Sequence, residues 1–153
     1  MAESPQDLLY LDDAPTRFPA EEPDKARPMS WVVVRQPGRE AEKYLRALRW
    51  AEAARRVAPD SGVVLNTLGV AQYRTGRHAQ AVATLARADG LNKGTPADLA
   101  FLAMAHRRLG QMEQARALLA LIRETLRQPR WETDEEARSF LREAEDLIQA
   151  DPP

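Results

Sequence analysis

The chain of 153 residues contains no cysteine, which removes disulfide frameworks, thiolate metal sites and cysteine nucleophiles at once. It also lacks long hydrophobic runs. Runs such as Trp31-Val32-Val33-Val34 and Ala117 to Ile122 fall far short of the ~20 apolar residues that cross a bilayer as a helix, so no membrane partner is expected. The opening segment MAESPQDLLYLDD is acidic and has no basic stretch leading into an apolar one, so it does not read as a secretion signal. No Asn-x-Ser/Thr sequon occurs, and the default expectation is a cytoplasmic protein. Enzyme signatures are missing as well: no G-x-x-x-x-G-K-[ST], G-x-S-x-G, H-E-x-x-H or G-x-G-x-x-G, no kinase catalytic loop and no metal-binding D-F-G. The two histidines, His78 and His106, fall on different expected helices with no further ligands beside them. The sequence therefore predicts no catalytic residue, no metal site and no cofactor.

Charge is balanced in total and uneven in placement. The formal net charge is -1. Residues 1–28 carry three basic and seven acidic side chains, residues 29–130 seventeen and eight, and residues 131–153 two and eight. A basic body between acidic ends favours acidic partners, or lets the chain bind its own tail. Only Lys25, Lys43 and Lys93 are lysines; the positive charge is carried by arginine in an alanine-rich background, a bias that also follows from a GC-rich genome. Residues 1–28 hold Pro5, Pro15, Pro19, Pro23 and Pro28 among many acids and read as a flexible acidic tail. The apolar knot Leu8-Leu9-Tyr10-Leu11 stands alone within it.

Beyond this tail the chain repeats itself. Leu65, Leu68, Gly69, Ala71, Gly76, Ala81 and Leu85 return 34 residues later as Leu99, Leu102, Ala103, Ala105, Gly110, Ala115 and Leu119. The register extended backward falls on Trp31, Ala47, Ala54 and Pro59. A small residue at Gly69 or Ala103, and another at Ala81 or Ala115, lets two helices approach closely. Gly76 and Gly110 mark helix ends, where glycine accepts the left-handed backbone of a C-cap. Thr95-Pro96-Ala97-Asp98 marks a helix start. The periodicity predicts helices over about 29–36, 40–57, 62–75, 78–90, 96–109, 112–128 and 134–149. The last carries a capping box, Thr133 with Glu136, and a one-sided apolar stripe, Ala137, Phe140, Leu141, Ala144, Leu147 and Ile148. Its other face is Glu135, Arg138, Glu143 and Asp146. Such a helix closes the end of a repeat array.

A 34-residue helix–turn–helix period is the length of the tetratricopeptide unit. The motif Leu68-Gly69-x-x-x-Tyr73-x-x-Gly76 through Ala81 resembles that family, with the tyrosine one place late and Gln72 at the customary aromatic position. The stretch from Trp31 to Ile148 is similar to the repeat tails of large bacterial proteins that also carry kinase or WD40 domains. The landmarks are Val57-Ala58-Pro59-Asp60, Leu65-Asn66-Thr67-Leu68-Gly69-Val70, Ala97-Asp98-Leu99-Ala100-Phe101-Leu102-Ala103 and Gln128-Pro129-Arg130-Trp131. The resemblance implies an all-α fold, an α-solenoid of antiparallel helix pairs over 29–150. Repeats would span about 28–61, 62–95 and 96–129, with a capping helix at 134–149.

The resemblance also implies a protein–protein interaction scaffold that holds a peptide or partner protein on its concave face. The first helix of each unit faces that side, and its positions 2, 5, 9, 12 and 13 share a face at 100° per residue. In this chain they are Val63, Asn66, Val70, Tyr73 and Arg74, then Ala97, Ala100, Met104, Arg107 and Arg108. An apolar floor, an amide and arginines able to fork onto carboxylates suit an acidic protein or peptide ligand. The dicarboxylate clamp of chaperone-binding relatives is not expected, because Val32, Ala100 and Met104 stand where basic and amide residues would be needed. Gln72 and His106 share a repeat position and read as buried polar residues satisfying each other, across the repeat interface, or a backbone group, and Trp50 and Trp131 as packing residues. Three alternatives remain open. The basic body could bind polyanions or nucleic acid, against which the scarce lysine and acidic last helix count; the chain could regulate a kinase-containing assembly; the acidic tail could lie on the groove. The array is short, about two and a half units, so both a monomer and a weak homodimer remain open.

Overall fold

A computed structural model of the chain describes residues 23–150. The knot Leu8–Leu11 and the expected tail up to residue 22 lie outside the described residues. Within them the fold is all-helical, with no strand. Helices are α1 Pro23–Val34, α2 Ala41–Val57, α3 Gly62–Arg74, α4 His78–Asn92, α5 Pro96–Arg108, α6 Met112–Thr125 and α7 Glu135–Ile148.

Six of the seven follow the periodicity to within a few residues; α1 does not. It begins at Pro23, six residues ahead of the expected start, and carries Pro28 inside it. Pro28 lacks the N–H that would bond the Asp24 carbonyl, but Asp24 is exposed and water can satisfy that oxygen. The helix is anchored by Ala26, Ser30 and Val34, all fully buried at a four-residue spacing. Ser30 Oγ donates to the Ala47 carbonyl of α2 at 2.7 Å. Two of the three anchors are small, so the apolar signal that would have announced this turn is faint.

Two helix starts also differ in detail. The cap of α7 is Asp134 rather than Thr133, its Oδ1 accepting from Ala137 N at 2.9 Å. Thr95 does stand at the N-cap of α5, but its hydroxyl donates to Asp98 at 2.8 Å and no side-chain cap bond forms. Ser61 caps α3 through Val64 N.

Each helix packs on the next, and α1 also touches α3, α3 touches α5 and α5 touches α7. The odd helices thus form a row, and α2, α4 and α6 each bridge two members of it. This packing is consistent with a helical repeat. Close approach is real at the repeat's small positions. A Cβ on Gly69 would stand 2.5 Å from Leu85 Cγ of α4, well inside contact distance, while Ala81 and Ala115 are fully buried. Gly76 and Gly110 end α3 and α5 at φ 81° and 77°, the left-handed conformation that glycine accepts without strain. The core runs continuously from Ala26 to Ile148, with Phe101 as the largest fully buried side chain.

Candidate functional site

Side chains from α1, α3 and α5 meet around one helix, α7. Its stripe is buried at Ala137, Phe140, Ala144 and Ile148, and Leu141 and Leu147 pack against the core from its edges. Phe140 meets Phe101 of α5 edge-on at 5.2 Å and Trp31 of α1 at 5.9 Å between ring centroids. Tyr73 of α3 continues the line onto Phe101 at 5.6 Å. Four helices thereby contribute one aromatic each to a single row of T-shaped contacts, a geometry that aligns ring edges with ring faces.

Beside this row stands Arg74, at the end of α3. Its guanidinium forks onto Glu143 of α7, with Nη1 to Oε2 at 2.5 Å and Nη2 to Oε1 at 2.9 Å. Nε donates to the Val34 carbonyl at 2.8 Å, and Nη2 also reaches the Arg35 carbonyl at 3.3 Å, both at the end of α1. The cation lies 4.9 Å from the centre of the Phe101 ring and within 6 Å of Tyr44 and Tyr73. The Arg74 side chain is only 6% exposed and that of Glu143 20%, so the pair is largely desolvated. A bidentate fork with Nε and Nη2 further bonded to carbonyls is the kind of arrangement that makes a buried pair tolerable. A more open pair, Arg35 with Glu136 at 3.2 Å, links α1 to the start of α7, and Arg123 of α6 holds Glu145 at 2.8 Å.

The ten residues expected to line a free groove are therefore divided. Val70, Tyr73, Ala100 and Met104 are buried, and Arg74 is spent on Glu143. Asn66 and Ala97 are half-buried and Val63 is exposed. Asn66 donates to Asp98 at 2.6 Å. Arg107 is half-buried and Arg108 exposed, the latter 3.5 Å from the Tyr73 hydroxyl. The geometry brings the buried members together into one core around the aromatic row and leaves the others on its margins. Burial raises the Tyr73 pKa, more than the neighbouring Arg108 lowers it. Burial and then the charge of Arg108 lower that of His78, whose ring lies 5.6 Å from that of Tyr73.

Two features were missed by sequence reasoning. Asp98 is fully buried, yet no cation pairs with it among the described residues; Asn66, Asn92 and Thr95 all donate to its carboxylate. Burial raises its pKa against those three hydrogen bonds, with Asp89 adding repulsion. The signal available was the Thr95–Asp98 pair, read as a helix start alone. The Gln72–His106 pair is not formed: His106 Nδ1 lies 2.6 Å from Gln111 Oε1, and the buried Gln72 Oε1 has no partner. Shared repeat position does not give these side chains the same surroundings: Gln72 is buried and His106 only half-buried. Trp50 is buried; Trp131 is half-buried under the Arg130 guanidinium, 4.6 Å from the ring centre.

No group of three or more His, Cys, Asp or Glu that could hold a metal ion occurs among the described residues. No helix among them is long and apolar enough to cross a membrane. No family model matches the chain, and neither a curated protein nor a solved structure is similar to it.

Proposed function

We propose that the chain is a non-catalytic protein-binding module, a tetratricopeptide-like α-solenoid. Its inner row receives an acidic amphipathic helix, and α7 holds that place in this conformation. The observation that carries the reading is the Arg74 fork on Glu143 next to Phe140 in the aromatic row. A helix lying in a groove is commonly recognised by apolar anchors three and four residues apart. Here Ala137, Phe140, Ala144 and Ile148 supply that spacing, and Glu143 adds a charge that only a cation at Arg74 can meet. The 34-residue recurrence, the helix pairing and the charge bias of the sequence support the same reading. A partner helix of this chemistry would enter by replacing α7.

The test uses a labelled peptide spanning residues 134–150 and the full chain. Anisotropy should show it binding the Phe140→Ala chain at least tenfold more tightly than the wild type, because a loosened α7 competes less well. A peptide carrying Glu143→Lys should bind neither. Glu143→Gln in the full chain is a gentler way of loosening α7 should Phe140→Ala unfold. If a folded, loosened chain ignores the peptide, the inner row is a core and not a receptor.

A further inference from the structure

At the far end of α7 the surface opens into a cleft of about 570 Å³, within the ~300–1,000 Å³ usual for small-molecule sites. Its floor is apolar, from Met112 and Leu119 of α6 and Ile148 of α7, and three arginines stand around it: Arg107 at the end of α5, Arg116 and Arg123 on α6. Met112, Arg116, Leu119 and Arg123 recur at the four- and three-residue spacing that aligns them on one helix face. Arg123 is partly neutralised by Glu145. Arg107 and Arg116 have no ion-pair partner among the described residues. The Nε–H of Arg107 is a buried donor with no acceptor, a condition that native structures seldom leave unmet. Gln149 and Ala150, at the end of α7, complete the lining.

We infer that this cleft binds an organic anion, one phosphate or carboxylate head on an apolar body. The head sits between Arg107 and Arg116, where a guanidinium offers paired donors to an oxyanion. The body lies on Met112, Leu119 and Ile148. A head without a body would forfeit the floor, and a body without a charge would leave the Arg107 and Arg116 guanidiniums without a counter-ion. The site involves α5, α6 and α7 and does not rest on the reading of the inner row given above.

Titration calorimetry of the full chain with octyl phosphate, octanoate, methyl octanoate and inorganic phosphate separates these contributions. Saturable binding is expected for octyl phosphate or octanoate, and the tighter of the two identifies the head. The neutral ester and inorganic phosphate should each bind at least tenfold more weakly. Arg107→Gln with Arg116→Gln should weaken the anion at least tenfold while circular dichroism stays unchanged. Arg116→Gln alone, at an exposed position, tests the same point without touching the half-buried Arg107. Arg55→Gln with Arg56→Gln, on the exposed end of α2, should leave binding as it is. No saturable binding, equal affinity for anion and ester, or no change in a folded Arg116→Gln chain would overturn the inference.

Discussion

Asp98 concentrates the clearest residue-scale conflict in the molecule. A fully buried carboxylate is costly in its charged form, and here only neutral donors oppose that cost. Its folded pKa therefore lies above the ordinary 3.8. A group whose pKa rises on folding binds protons more readily in the folded chain, so its contribution to stability is full below the unfolded value. That contribution is lost as pH climbs through the folded one. Denaturant unfolding at a series of pH values should accordingly show the wild type gaining on Asp98→Asn as the pH falls from 7 toward 4. A difference that stays flat or shrinks would mean the carboxylate is not desolvated as its surroundings imply. Arg74 is the complementary case. Its chemistry, a fork onto a carboxylate, was readable from residue type. That the carboxylate belongs to the same chain was not, because 69 positions separate the partners and no local spacing links them.

Among the elements, α7 is the one whose sequence said most and whose surroundings said least. Its apolar stripe was legible because four buried positions recur on one side of a single helix. The surface receiving it is assembled from Trp31, Tyr73 and Phe101 on three other helices. Removing the ring of Phe140, only 3% exposed, should cost about 3–5 kcal/mol, the range for large-to-small changes at buried aromatic sites. Chemical denaturation of Phe140→Ala measures this directly, and a loss below about 1 kcal/mol would show that the site collapses around the missing ring. α1 carries the opposite lesson. Prolines at 23 and 28 read as tail, whereas the helix there is fixed by tertiary burial of Ala26 and Ser30, neither of which is hydrophobic enough to stand out in a periodicity count.

At the scale of the molecule, helix pairing was legible from the 34-residue period, and the packing of α7 back against α1 was not. A linear array should melt unit by unit as neighbours let go, since each unit leans only on those beside it. Here α7 connects α5 back to α1 through Phe140 with Trp31 and Glu136 with Arg35. Unfolding should then be all-or-none. Tryptophan fluorescence, drawn from positions 31, 50 and 131, and far-ultraviolet circular dichroism should give coincident transitions. Separated midpoints would place the early half of the chain in a unit of its own.

If a partner helix replaces α7 as proposed, one feature of α7 sets the terms of the exchange. It hangs from α6 by a short run of turns, residues 126–134, so it never diffuses far from its seat. A short tether of this kind holds a segment at an effective concentration of roughly millimolar. A rival helix of equal intrinsic strength would have to reach that concentration merely to sit there half the time. On the reading proposed above, the molecule would answer abundance and fit together: a weak look-alike at cellular levels would be turned away, and a sequence with a better aromatic or a second acid would get in.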